Sequence, residues 1–200
     1  MPEDLPAIRE SSPTLYLSGI SRCLFAAGFS DRFGTDQPHI LCWTAYSNQS
    51  MIRKARISDI KAIHALLTHF AEKSLLLPRS LSELYGQLRD YTVIETPEGD
   101  IAGVAALNVC WDNLAEIRSL AVAGEYQKEG MGTRLVEHCL SEAVTLGIYR
   151  VFTLTYQPDF FRKLGFHQVD KSILPHKVWA DCVKCPKFPD CDETAMLLEL

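Results

Sequence analysis

The alternation of apolar and polar positions changes character at Met51. Residues 1–50 mix Pro, Ser and Gly with scattered apolar side chains and hold neither a two-residue nor a 3.6-residue period. From Met51 the pattern sharpens. Ile52 to Ile57 alternates as a half-buried strand does, and Ser58 offers an N-cap hydroxyl with Asp59 in the first helical turn. Ile60, Ile63, Leu66, Leu67 and Phe70 then recur at helical spacing. Pro78 separates this helix from a second, capped by Ser80 or Ser82, whose apolar positions are Leu81, Leu84, Tyr85 and Leu88. Tyr91 to Thr96 and Ile101 to Val109 read as strands joined by the turn Pro97-Glu-Gly-Asp100. A strand from Leu114 to Val122 precedes a glycine-containing loop and a helix from about Gly130 to Leu146, which Gly147 stops. Tyr149 to Tyr156 is strongly strand-like, a short helix covers Asp159 to Leu164, and a last strand runs from Thr194 to Leu200. The order β-α-α-β-β-β-α-β-α-β-β predicts an α+β fold, a mixed sheet flanked by helices.

Residues 1–50 are therefore expected to be a poorly ordered extension, or a stretch ahead of a start at Met51, with one folded domain over 51–200. Leu15 to Phe29 has the apolar content of a targeting segment. Glu3, Asp4 and Glu10 stand where a secretory peptide carries positive charge, however, and Arg22 interrupts the apolar run. Apolar residues make up 47% and charged residues 22% of the chain, the balance of a globular protein. A net charge of −5 argues against a nucleic-acid partner, and no apolar run is long enough to span a bilayer. Cys139 in a helical pattern and Cys110 in a strand pattern fit reduced thiols and a cytoplasmic location.

The segment with chemical content is the strand ending in Leu120, Ala121 and Val122, followed by Gln127-Lys128-Glu129-Gly130-Met131-Gly132-Thr133 and an amphipathic helix. The first turn of a helix presents backbone N–H groups without intrahelical partners, and the helix dipole adds positive charge there. Glycines remove the side chains that would keep a pyrophosphate from those donors. The Lys-Ser/Thr ending of a P-loop and the three-glycine spacing of a dinucleotide fingerprint are both absent, which disfavours nucleoside triphosphates and NAD.

Gln127, Gly130 and Gly132 resemble the Gln/Arg-x-x-Gly-x-Gly/Ala acetyl-CoA signature of the GNAT acetyltransferases, and the element order is similar to theirs. Within that superfamily the chain resembles the short bacterial N-acetylglutamate synthases. The likeness lies in Leu114–Val122, Tyr156–Phe166 and the ending Lys177-Val-Trp-Ala-Asp-Cys-Val-Lys-Cys185. The resemblance implies the GNAT fold, a central mixed, mostly antiparallel sheet. It implies acetyl-CoA as co-substrate, a small-molecule amine acceptor, glutamate first, and a place at the first step of arginine biosynthesis. It also implies that the backbone of Leu120, Ala121 and Val122 pairs with the pantetheine arm and that residues Gln127 to Thr133 receive the pyrophosphate.

An amine arrives as an ammonium ion and must lose a proton before it attacks, so a base is required. Glu116 is the candidate; a two-residue period places it on one face with Arg118 and Leu120, opposite Ile117 and Ser119. The plain alternative is a Glu116–Arg118 ion pair on an exposed sheet face. Arg118 and Arg79 are the candidates for holding a dicarboxylate, since a guanidinium matches a carboxylate with paired N–H donors; Lys54 and Arg56 read as solvated strand positions. Many GNAT enzymes carry a tyrosine where this chain has Phe161, which leaves the general acid to Tyr156 or to unassisted departure of the thiolate. No cysteine sits on a nucleophile motif, which favours direct attack over a covalent acetyl-enzyme. Cys182, Cys185 and Cys191 have a spacing that could hold Zn²⁺ with His176 or another group as fourth ligand, or they form a loop of reduced thiols or a redox-sensitive pair. An enzyme for another amine, a non-catalytic acyl-CoA or metal sensor, and a homodimer all remain open at this level.

Overall fold

In the computed structural model the described residues are 50–174, 183 and 190–200, so the N-terminal extension, His176, Cys182 and Cys185 lie outside them. The elements are β1 (Met51–Lys54), α1 (Ile60–Glu72), α2 (Leu81–Gly86), β2 (Tyr91–Glu95), β3 (Ile101–Trp111) and β4 (Leu114–Val122). They continue with α3 (Met131–Thr145), β5 (Arg150–Thr155), α4 (Pro158–Lys163), β6 (His167–Gln168) and β7 (Thr194–Glu199). One sheet has the order β1-β2-β3-β4-β5-β7-β6, antiparallel at every pairing except the parallel β4–β5 pair. No helix among the described residues is long and apolar enough to cross a membrane.

Each face of the sheet is covered by the helices whose periodicity the sequence displays. On one face Ile60, Ile63 and Leu67 of α1 and Leu84 of α2 pack on Tyr91, Val93, Val104, Ala106 and Ala121. On the other, Met131, Leu135, Val136 and Cys139 of α3, with Phe161 and Phe166, pack on Ile94, Ala102, Ala105, Leu107, Ala115 and Ile117. Gly103 allows α3 a close approach: a Cβ there would lie 3.1 Å from Leu135 Cδ1 and 3.2 Å from the Ala121 carbonyl oxygen.

Two local expectations are corrected. The first strand ends at Lys54 and Ile57 is exposed in a 3₁₀ turn. The cause is Asp59, whose carboxylate accepts from the Arg56 backbone N–H at 2.7 Å and from Arg53 Nη1 at 2.6 Å, turning the chain before the alternation is complete. The Ser58 hydroxyl donates to that carboxylate and caps no helix itself. At α2 the cap is Ser80: its Oγ accepts from Glu83 N at 3.2 Å, and the Glu83 carboxylate accepts from Ser80 N at 2.8 Å. Leu84 is buried there, whereas Leu81 and Tyr85 are exposed.

The feature that shapes the functional region is a β-bulge in β4. Val104 pairs with Ala121 and Ala106 with Arg118, so two steps on β3 match three on β4, and Ser119 takes the extra step at φ +54°. The bulge reverses the inside–outside alternation. Leu120 and Val122 pack on the α3 side with Ile117, and Ala121 on the α1 side. The expectation that Leu120 shares a face with Glu116 and Arg118 is thereby overturned, because strict two-residue periodicity fails across one inserted residue.

Candidate active site

β4 stays with β3 along its length, while β5 pairs with β7 from Arg150 to Thr155. Between β4 and β5, the pairing among the described residues is Ala115 with Val151 and Glu116 with Phe152. Beyond Glu116 the two parallel strands part, and the backbone from Ile117 to Val122 turns an edge toward the opening. An open strand edge offers alternating N–H and C=O groups to whatever extended, amide-bearing chain enters.

That opening leads to the glycine loop. Gln127 Nε2 donates to the Val122 carbonyl at 3.0 Å, folding the loop back on the end of β4. Lys128 has φ +67° and Gly130 φ +79°, so two left-handed residues aim the chain into α3. A non-glycine residue pays about 1 kcal/mol for that conformation, a local strain of the kind found at ligand-binding loops. Gly130 is the N-cap and has no side chain to cap with; the first intrahelical bond is Arg134 N–H to Gly130 O at 3.1 Å. The N–H groups of Met131, Gly132 and Thr133 therefore emerge at the helix start with the positive end of the dipole behind them. Gly132 lies beneath Phe160 of α4, where an added Cβ would sit 3.4 Å from the ring.

Glu116 and Arg118 are brought together on the α1 face of β4, where the strands part. Arg118 Nη1 is 3.9 Å from Glu116 Oε2, and Arg118 Nη2 is 3.8 Å from Asp90 Oδ2. The Arg118 side chain is 5% and that of Glu116 16% exposed, so the pair is enclosed rather than spread on an exposed sheet face. Asn108, opposite Glu116 on β3, donates from Nδ2 to Asp90 Oδ2 at 3.3 Å. Asp90 and Asn108 were missed in the sequence. Their signal was a polar residue directly ahead of the apolar run of β2 and another interrupting that of β3. Arg79 precedes the α2 cap, half-buried, with its Nε enclosed and lacking a hydrogen-bond acceptor among the described residues. Lys54 is engaged by Glu142 of α3 at 2.8 Å.

A family model described as acetyltransferase (GNAT) matches residues 60–167, which run from the start of α1 to the first residue of β6 and include the glycine loop. The chain belongs to the GNAT acetyltransferase family. An N-acetyltransferase of Chlorobaculum tepidum, itself uncharacterized, is 36% identical over 149 residues, covering 74% of this chain and 96% of the relative. The amino-acid acetyltransferase of Mycobacterium tuberculosis is 37% identical over 131 residues, 64% of this chain and 75% of the relative. The N-acetylglutamate synthase of Neisseria gonorrhoeae, solved with coenzyme A and N-acetyl-glutamate, superposes with a TM-score of 0.70 at 28% identity. That match covers 76% of this chain and 35% of the longer synthase.

The protein is thus an acetyl-CoA-dependent N-acetyltransferase with the GNAT fold. Its parted strands and glycine cradle fit coenzyme A on their own terms: an open backbone edge for an amide-bearing arm, leading to unsatisfied helix N–H groups for a pyrophosphate. Replacing Gly132 by Val is expected to raise the KM for acetyl-CoA about tenfold or more while thermal unfolding shifts little, because the added methyls crowd Phe160 and the cradle rather than the core. Steady-state kinetics beside a melting curve measure both.

At the position where many GNAT enzymes carry a tyrosine, Phe161 is buried edge-to-face between Phe160 and Phe166. Tyr156, just past β5, donates its hydroxyl to Asp192 Oδ1 at 2.5 Å. Burial pushes the Cys139 thiol up to about 12, so it stays protonated and unreactive at neutral pH. Among the described residues no group of three His, Cys, Asp or Glu side chains could hold a metal ion. Cys191 Sγ lies 3.8 Å from Glu193 Oε2, and its partners in the zinc reading, Cys182, Cys185 and His176, lie outside the described residues.

Proposed function

We propose that the acceptor is the α-amine of an amino acid, L-glutamate foremost, and that acetyl passes to it by direct attack in a ternary complex. The reaction is the first step of arginine biosynthesis. The observation that carries this reading is the enclosed Glu116–Arg118 pair beside the parted strands, a base and a carboxylate-binding group side by side. The relatives named amino-acid acetyltransferase support the same acceptor class.

In this mechanism the pantetheine arm lies along the backbone of Leu120, Ala121 and Val122, and the loop from Gln127 to Thr133 holds the pyrophosphate. Because the Gln127 amide is committed to Val122, its part is to shape the loop, and the N–H groups of Met131, Gly132 and Thr133 face the phosphates. Glu116 takes a proton from the acceptor ammonium, directly or through a water. The nitrogen lone pair then attacks the thioester carbonyl, and the oxyanion of the tetrahedral intermediate is held by a β4 backbone N–H. Collapse breaks the C–S bond, and the attacking nitrogen gives up its second proton to water as the amide forms. Arg118 holds one acceptor carboxylate and Arg79 the other. In this reading Tyr156 protonates the departing thiolate once its bond to Asp192 exchanges. A thiol with a pKa near that of cysteine, about 8.5, is also a fair leaving group unaided.

Among the described residues two carboxylates stand around one guanidinium, an excess of negative charge that favours any acceptor arriving as an ammonium ion, a lysine side chain or polyamine included. Thiol release from acetyl-CoA, measured with each amino acid singly and with a polyamine and a lysine peptide, separates these. Release with glutamate well above the rest is expected. Release with another amine alone rejects glutamate. Acetyl-CoA binding without release to any acceptor moves a sensor role to the front.

A further inference from the structure

Tyr91 of β2, Ala106 of β3 and Arg118 of β4 stand in one row across the sheet. Adjacent strands are about 4.8 Å apart, so this row spans about 10 Å. Its middle side chain ends at Cβ. Across that short side chain the Arg118 guanidinium comes within 3.8 Å of Asp90, the residue just ahead of Tyr91. In the neighbouring row Asn108 faces Glu116 and donates to the same Asp90 Oδ2. Asp90 thus lies at the far end of a polar patch whose near end is Glu116, with one guanidinium shared between them.

A carboxylate that receives both arms of an arginine loses proton affinity, because its charged form is held by two charge-assisted hydrogen bonds. Without the pull of Asp90 the balance of the guanidinium shifts toward Glu116, and closure on it in this way would weaken it as a base. We propose that Asp90 is a positioning residue: by sharing Arg118 it keeps the guanidinium from closing on Glu116, and Asn108 holds the Asp90 carboxylate in place for this. The inference rests on Glu116 acting as the base.

The test is a double-mutant cycle on the full chain, by thiol release with glutamate, or with whichever amine the wild type prefers. Asp90→Asn keeps the shape of the side chain and its reach to Asn108. It is expected to lower kcat about tenfold or more, the scale of a misaligned catalytic group, with the KM for acetyl-CoA within about twofold, and Asp90→Glu should recover most of the loss. In a Glu116→Gln background, Asp90→Asn should have no further effect, since the two residues act through one step. An unchanged kcat in Asp90→Asn, or an equal fall in both backgrounds, overturns the positioning role while leaving the base intact. If Glu116→Gln alone matches the wild type, the base itself fails and the Asp90 inference falls with it.

Discussion

Glu116→Gln is expected to lower kcat for acetyl transfer by about a hundred- to ten-thousandfold, the range of a lost general base, with little change in acetyl-CoA affinity. The amide has nearly the volume of the carboxylate and preserves packing against Asn108 and Arg118, but it cannot accept a proton from an ammonium ion. The coenzyme contacts proposed for the β4 backbone and the glycine loop do not involve this side chain. Raising the pH should restore part of the rate, because the acceptor then supplies more free amine by itself. Turnover in the variant equal to the wild type at neutral pH would remove Glu116 from the mechanism and return the pair with Arg118 to a structural role.

Asp59→Ala is expected to destabilise the domain by about 2 kcal/mol, less than the full loss for a severed buried ion pair because one partner remains. Arg53 is almost enclosed and forms an ion pair with Asp59 at 2.6 Å and with Glu95 at 2.5 Å, tying the turn ahead of α1 to β1 and the end of β2. Removing Asp59 leaves the guanidinium to Glu95 and strips the Arg56 N–H of its acceptor. For a domain of this size the melting temperature should fall by about 5 °C.

The loss should depend on pH in a defined direction. Hydrogen bonding from Arg53, first among the causes, holds the Asp59 carboxyl below its ordinary value. A group depressed in the folded state contributes stability that is complete above its unfolded value, about 3.9 for Asp, and lost as pH falls through the folded value. The gap between wild type and Asp59→Ala should therefore be constant from pH 7 to about pH 5 and close in stronger acid. Urea unfolding at neutral and acidic pH measures this; a gap that widens toward acid would contradict the assignment.

Much of the catalytic domain was legible in residue order. Ile60, Ile63 and Leu67 recur at helical spacing because one face of α1 is buried, and burial is what the period records. Gly147 ends α3 at φ +75°, with Ile148 N–H bonded to Ala143 O at 2.9 Å, a local conformation that a glycine announces. Gly130 marked the helix start for the same reason, at φ +79°, whereas what Gly132 supplies is space beneath Phe160. The polar patch was only half legible. Glu116 and Arg118 lie two residues apart, but Asp90 and Asn108 reach them from other strands, and no local pattern encodes a contact across a sheet.

The sequence by itself therefore determined the elements, their order, the glycine cradle and, through the match of its motifs, the family. These depend on interactions between residues near one another in the chain, where period, caps and turn residues act directly. Tertiary structure alone decided three things. It placed the bulge at Ser119 that turns Leu120 away from Glu116. It held β5 with β7 and β4 with β3, so that the strands part at the place proposed for coenzyme A. And it buried Arg118 between its strand neighbour Glu116 and Asp90, a carboxylate from ahead of β2. Each is a compromise between segments distant in sequence, reached only when the sheet is assembled and its register is set.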